Sequence, residues 1–179
     1  MSLKNKICVV TGAAGILCSA MVEALLEEGA KVALLGRTES KLVDLQSALN
    51  NKGFGETLVV AADVLNTQDL LDAKTKINST WGKIDLLING AGGNHPDATS
   101  SAEQMTKDTP KEDSFFGMSM DAFGFVFDLN FKGTLLPSQI FGEDMLASGS
   151  GNIINISSAS AKEPLTKVAA YSAAKASVD

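Results

Sequence analysis

The chain has 179 residues, 45% apolar and 20% charged, enough apolar material for one globular domain with a real core, which excludes a disordered or fibrous chain. Its formal charge of -6, from 15 basic and 21 acidic residues without a long block of one sign, argues against nucleic acid or an anionic membrane as main partner. Two cysteines, Cys8 and Cys18, in apolar or Gly/Ala-rich surroundings fit small buried thiols in a reducing compartment, and the single histidine leaves no apparent metal cluster.

Behind Lys4 and Lys6, the stretch from Ile7 to Val22 carries no charge, as a signal peptide would. Thr11-Gly12 and Gly15 interrupt it like a strand-to-helix turn, however, and an amphipathic helix follows directly. No segment reaches the roughly 18 uninterrupted apolar residues of a membrane span, so the expected location is the cytoplasm. Ile7 to Val10 predicts a short strand, and Leu17, Met21, Val22, Leu25 and Leu26 recur at helical spacing before Gly29 ends the helix. A second strand, Val32 to Leu35, leads through Gly36-Arg37-Thr38 into a helix from about Glu39 to Asn50, closed by Asn51-Lys52-Gly53. Leu58 to Ala61 is the third strand, running into Asp63-Val64, and Thr67 is expected to cap a helix to about Thr80. Ile84 to Ile88 is the fourth strand, ending in Asn89-Gly90-Ala91-Gly92-Gly93.

The stretch Asn94 to Met120 is polar and longer than the two to six residues usual between α/β elements, and reads as a lid or wall. A single long helix is expected from about Asp121 to Ala147, carrying Phe123, Phe127, Phe131 and Leu135, with a kink or break at Pro137. Ser148 to Gly151 turns into a fifth strand, Ile153 to Ile156, and a last helix begins near Tyr171. Strands and helices alternating in this way imply an α/β fold: a doubly wound parallel sheet covered on both faces. Ligands of such sheets bind at the carboxyl ends of the strands, where the strand order reverses.

The first strand end, Thr11-Gly12-Ala13-Ala14-Gly15-Ile16-Leu17-Cys18, offers backbone N–H groups and a positive helix end to a pyrophosphate, through Gly12, Ala14, Gly15 and Ile16. The second strand lacks an acid for the ribose hydroxyls and offers Arg37, which suits a 2'-phosphate and so favours NADP(H) over NAD(H), or else is an ordinary solvated arginine. Tyr171 and Lys175, at i and i+4, share a helix face one turn apart. The cation favours the charged form of the phenol, and the pair can then give and take a proton near neutrality. Ser158 precedes them, at the end of the fifth strand.

Together these strand ends resemble the short-chain dehydrogenase/reductase family, over essentially the whole chain. The family's Thr-Gly-x-x-x-Gly-x-Gly turn aligns without gaps on Thr11 to Cys18, with Ile16 and Cys18 at the second and third glycine places. Its Asn-Asn-Ala-Gly motif falls on Asn89-Gly90-Ala91-Gly92, with Gly90 replacing the second Asn, and its adenine-side Asp falls on Asp63, beside Val64. Its catalytic tetrad falls on Asn130, Ser158, Tyr171 and Lys175.

The resemblance implies a single Rossmann-like domain over residues 1–179, three-layered α/β/α, with a C-terminal part missing, since family members continue with two more strands and a substrate-covering loop. It implies an NAD(P)-dependent oxidoreductase interconverting a ketone and a secondary alcohol. In it Tyr171 transfers the proton, Lys175 holds the nicotinamide ribose, Ser158 polarises the carbonyl and Asn130 holds a water. It also implies a dimer or tetramer of the full-length protein. Within the family, Asn89 to Thr99 and Asp128 to Pro137 resemble the D-mannonate oxidoreductase (fructuronate reductase) branch. A sugar-acid carboxylate would be met by Asn94 and His95, or by Lys162 and Lys167, although those lysines also read as solvated loop charges and His95 as a loop-ordering residue. The alternatives are reduction of another carbonyl, such as a 3-oxoacyl thioester, or a nucleotide-binding fragment without turnover.

Overall fold

The computed structural model describes residues 3–179. The chain divides into two compact units, one of Met1–Ala91 with Thr134–Ile156 and one of Gly92–Gly133 with Ser157–Asp179.

The first unit contains five strands: β1 (Ile7–Thr11), β2 (Lys31–Gly36), β3 (Thr57–Ala61), β4 (Leu86–Asn89) and β5 (Asn152–Asn155). They form one sheet in the order β3-β2-β1-β4-β5, with every pair parallel. The chain winds outward from β1 to β3 and then returns to pair β4 on the other side of β1, so the order reverses between β1 and β4 as a doubly wound sheet requires. The continuous apolar runs in β1 and β2 exist because both faces of these central strands are covered; Val9, Val10, Val32, Ala33, Leu34 and Leu35 are all inaccessible. Alternation sends Cys8, Val10, Val32, Leu34, Leu86 and Ile88 into one core with helices α1 (Ile16–Glu27) and α2 (Glu39–Asn51).

Helix ends follow local chemistry. Gly29, at φ +82°, closes α1 as its N–H and that of Ala30 return to the carbonyls of Leu26 and Leu25. Helix α3 (Thr67–Thr80) is capped by Asn66 rather than by Thr67: the Asn66 side chain accepts from the N–H groups of Gln68 at 2.9 Å and Asp69 at 3.2 Å, and Thr67 is the first helical residue. Strand β4 starts two residues later than the apolar run suggests, because the N–H of buried Ile84 donates to the Asp144 carboxylate, not to a strand.

In the second unit, the 94–119 stretch folds as short 3-10 turns at Pro96–Ala98, Lys111–Asp113 and Phe115–Gly117, followed by helix α4 (Met120–Phe127). Helix α6 (Ala169–Ala176) packs on α4 around Ala98, Ala122, Val126 and Ala170, with Phe123 and Tyr171 at the edge. The expected single helix from Asp121 to Ala147 is interrupted, but at a π-helical turn, Asp128–Lys132, rather than at Pro137, which lies inside α5 (Gly133–Ser148). The cause is Asn130, whose side-chain amide donates to the Val126 carbonyl at 2.8 Å, the acceptor an α-helix would give to its own backbone N–H.

In the first unit Lys74 ties α3 to α5. Its ammonium donates to the Ile140 carbonyl at 2.9 Å and to Glu143 at 2.7 Å, and lies 3.4 Å from Asp144. Burial disfavours the charge, but the Glu143 hydrogen bond and the two carboxylates outweigh it and raise the Lys74 pKa above its ordinary 10.5. Lys74→Met is therefore expected to cost about 1–3 kcal/mol in urea unfolding, because it leaves Asp144 buried beside an apolar chain. The contribution of Lys74 is fully present below pH 10.5 and is lost as pH rises through the raised value, so the gap between parent and variant should close only in strong alkali.

Candidate active site

In the first unit, the carboxyl ends of β1 and β4 are locked by one buried hydroxyl. Thr11 Oγ1 accepts from the N–H groups of Gly90 and Ala91, both at 3.1 Å, and lies 3.5 Å from the Ile88 carbonyl. Gly12 follows at φ +66°, and a Cβ there would come within 2.9 Å of the Ala91 Cα, so both its conformation and its closeness to β4 require glycine. The Gly12 carbonyl accepts from Gly15 N–H at 2.8 Å, and Gly15 is the N-cap of α1, with no side chain to cap the helix. Ala14, Gly15 and Ile16 are all exposed. Ile16, at a place where the family motif has glycine, is 91% exposed, so its side chain turns away from the turn and leaves the backbone open.

The other strand ends of this unit carry the remaining dinucleotide candidates. Arg37 is exposed just beyond β2. Past β3, Asp63 accepts from Leu65 N–H at 2.9 Å through one carboxylate oxygen, its own N–H donates to Asp69, and Val64 beside it is buried. Asn89, at the end of β4, is buried; its amide donates to Ser138 at 2.8 Å and to Asn155 at 2.9 Å, while its Oδ1 is enclosed without a hydrogen-bond partner. A bare, uncapped helix start beside a left-handed glycine fits a pyrophosphate, and an exposed guanidinium and a half-free carboxylate fit the two ends of an adenosine ribose and base. Cys8 takes no part: burial, and then the charge of Asp85, push its thiol up to about 12.

In the second unit, two of the tetrad candidates, Asn130 and Lys175, meet at another glycine. Lys175 is 5% exposed on α6, and its ammonium lies 5.8 Å from the centre of the Tyr171 ring. A Cβ on Gly92 would lie 2.6 Å from Asn130 Oδ1 and 3.3 Å from Lys175 Nζ, so both side chains converge on one bare stretch of backbone. Asn130 is held there firmly: its Oδ1 accepts from Gly93 N–H at 3.2 Å, and its amide donates to the Gly93 carbonyl at 2.7 Å as well as to Val126. Ser157 Oγ donates to the Lys175 carbonyl at 3.3 Å, fixing the helix that carries the pair. Ser158 caps the 3-10 turn Ala159–Ala161, which packs on α6. Its Oγ accepts from Ser160 N–H at 3.2 Å and Ser160 Oγ at 2.9 Å, leaving its own proton available to donate.

The substrate candidates of this unit are partly committed to their own loop. Asn94 donates to Thr99 Oγ1 at 2.8 Å. His95 Nδ1 accepts from Asp97 N–H at 3.2 Å, so that its proton stands on Nε2, and its ring meets the edge of Phe125. Lys162 is exposed; Lys167, at φ +76°, accepts from Ser100 N–H through its carbonyl. Sequence reasoning missed Ser160, Ser138 and Asn155, whose supporting roles depend on partners that only the fold brings near. Among the described residues, no group of three or more His, Cys, Asp or Glu could hold a metal ion, and no helix is long and apolar enough to cross a membrane.

A parallel sheet whose order reverses beside an uncapped, glycine-led helix start defines the dinucleotide-binding class of α/β proteins. The model of the short chain dehydrogenase family matches residues 6–179, and the chain belongs to that family. The uncharacterized oxidoreductase UxuB of Bacillus subtilis is 47% identical over 178 residues, 99% of this chain and 63% of the relative. The NAD-dependent glycerol dehydrogenase of Listeria innocua is 32% identical over 177 residues, 99% of this chain and 62% of that one. The crystal structure of a candidate D-mannonate oxidoreductase from Haemophilus influenza with bound NAD superposes with a TM-score of 0.94 at 39% identity, covering 99% of this chain and 63% of that chain. The chain thus spans 62–63% of the length of these relatives.

The convergence on Gly92 has a direct test. Gly92→Ala forces Asn130 Oδ1, pinned by its bonds to Gly93, to yield, and is expected to cost about 1–3 kcal/mol in thermal or urea unfolding. Gly93→Ala meets only Leu129 at 4.0 Å and should stay within about 0.5 kcal/mol of the parent.

Proposed function

We propose that this chain forms the dinucleotide-binding and catalytic part of an NAD(P)-dependent oxidoreductase that interconverts a ketone and a secondary alcohol on a sugar acid of the D-fructuronate/D-mannonate type. The observation that carries the reading is the meeting of Asn130 and Lys175 at the bare backbone of Gly92, with Tyr171 one helical turn from Lys175. The turn Gly12 to Ile16, together with Asp63, Val64, Asn89, Gly90 and Ala91, would hold the dinucleotide, which when bound supplies the hydride to the carbonyl carbon or takes it back in the reverse direction. Tyr171 gives its phenolic proton to the carbonyl oxygen. Ser158, whose oxygen already accepts from Ser160, donates a second hydrogen bond to that oxygen and orients it. Lys175, with its ammonium 5.8 Å from the centre of the Tyr171 ring, would hold the nicotinamide ribose, and Asn130 would hold a water beside it.

The exposed guanidinium of Arg37 supports NADP(H), and the NAD bound in the Haemophilus structure supports NAD(H) as the second reading. Titration with NADPH and NADH, followed by nucleotide fluorescence, decides between them. NADPH should bind more tightly, and Arg37→Ala should weaken it by about tenfold while leaving NADH nearly unchanged. Failure of both to bind would overturn the oxidoreductase reading altogether. Tyr171→Phe should bind the dinucleotide like the parent and lose turnover by about a thousandfold.

The sugar-acid assignment rests on the sequence stretch Asn89 to Thr99 and on the similarity to the Haemophilus protein; the Listeria relative points to a neutral polyol instead. Asn94 and the Nε2–H of His95 are the donors proposed for the substrate carboxylate. His95→Ala should raise KM for D-fructuronate by about three- to tenfold, the value of one hydrogen bond, with less effect on dihydroxyacetone. Equal effects on both substrates would remove His95 from carboxylate recognition.

A further inference from the structure

Two of the three motif positions where this chain departs from the family's residue, Cys18 and Gly90, face each other. Cys18 stands in the first turn of α1, is 4% exposed, and packs in the core with Val10, Ala13, Val22 and Ile88. Gly90 stands just past β4. Its φ is not in the left-handed region, so no backbone conformation demands glycine there. Space demands it. A Cβ on Gly90 would overlap the Cys18 Sγ outright and would lie 3.0 Å from the Thr11 carbonyl oxygen on its other side. The Cys18 Cβ, by contrast, would be 3.8 Å away, an ordinary contact, so the sulfur atom alone fills the room that a side chain at 90 would need. Rotating the thiol aside is not an easy escape, because a helix restricts its χ1 and the surrounding core is closely packed.

The contact also lies where displacement matters. Gly90 and Ala91 both donate to Thr11 Oγ1, and the backbone of Ala91 touches Gly12, the left-handed residue of the turn. A shift at residue 90 therefore passes directly into the Thr11–Gly12 turn and the start of α1. We propose that Cys18 and Gly90 form a single interlocked positioning pair, in which the thiol replaces the missing side chain at 90, seats the N-terminus of α1 against the end of β4, and thereby sets the affinity of the Gly12 to Cys18 turn for a dinucleotide pyrophosphate. The pair accounts for two of the three departures, at 18 and 90, with one contact; the exposed Ile16 lies outside it. The link to affinity rests on the reading of this turn as a dinucleotide seat; the pairing itself does not.

A double-mutant cycle separates the two. The variants are Gly90→Ala, Cys18→Ala and the double, which moves one heavy atom from one side of the contact to the other; each is measured for NADPH and NADH binding and, without nucleotide, for Tm. Gly90→Ala alone should weaken binding of the preferred dinucleotide about tenfold and lower Tm by several degrees, as overpacking does. In the Cys18→Ala background the same substitution should weaken binding no more than about threefold, the residue of its contact with Thr11, and recover most of the Tm loss. Additive effects on both Tm and binding would overturn the pair. Coupled Tm values with additive binding would overturn its link to the nucleotide. Coupled Tm values in a parent that binds neither dinucleotide would leave the pair standing as packing and overturn the dinucleotide reading of the turn.

Discussion

The arrangement of the first unit depends on how two parallel strands part company. Neighbouring strands β1 and β4 hydrogen-bond along their length and then send their chains in different directions, and the backbone donors at the point of divergence need an acceptor. Thr11 is fully buried and its Oγ1 is that acceptor, taking both the half-buried Gly90 and Ala91 N–H groups. With the two ends held, Gly12 can turn against Ala91 and start α1 within a few residues of the sheet edge. A hydroxyl that accepts twice is needed here. Alanine at position 11 would take the side-chain acceptor from two half-buried donors, and valine would add apolar bulk where they point.

The second unit uses the same economy of space around Gly92. Asn130 leaves the helical hydrogen-bond ladder to bind Gly93, and the helix accommodates this with a π-helical turn instead of a break. The side chain thereby gains three fixed partners, and the absence of a Cβ at 92 lets its oxygen and the Lys175 ammonium approach the same point. Asn130 is held by the backbone of Gly93 and Val126, and Ser158 by the N–H and hydroxyl of Ser160.

The strands, their order of appearance and the residues at their ends were legible in the sequence because continuous β-branched runs and glycine turns are local signals. Tyr171 and Lys175 were legible for the same reason, as helical spacing alone places them together. The helix interruption was assigned to Pro137 because proline is the visible breaker; the true cause is a bond between Asn130 and Val126 reinforced by Gly93, and its tertiary half has no local signature. Asn66 and Thr67 are both good caps, and adjacency hid which one is used. Ser160, Ser138 and Asn155 stayed invisible because a serine or asparagine becomes a supporting residue only by what it meets. Cys18 and Gly90 were each read as a departure from a motif, and their relation depends on a distance that the sequence does not carry.

That relation also constrains variation. With the present backbone, the Sγ of a cysteine at 18 and the Cβ of any side chain at 90 would claim the same volume. Substitutions at the two positions are therefore expected to be conditional on each other: a thiol at 18 goes with glycine at 90, and a side chain at 90 goes with a smaller residue at 18.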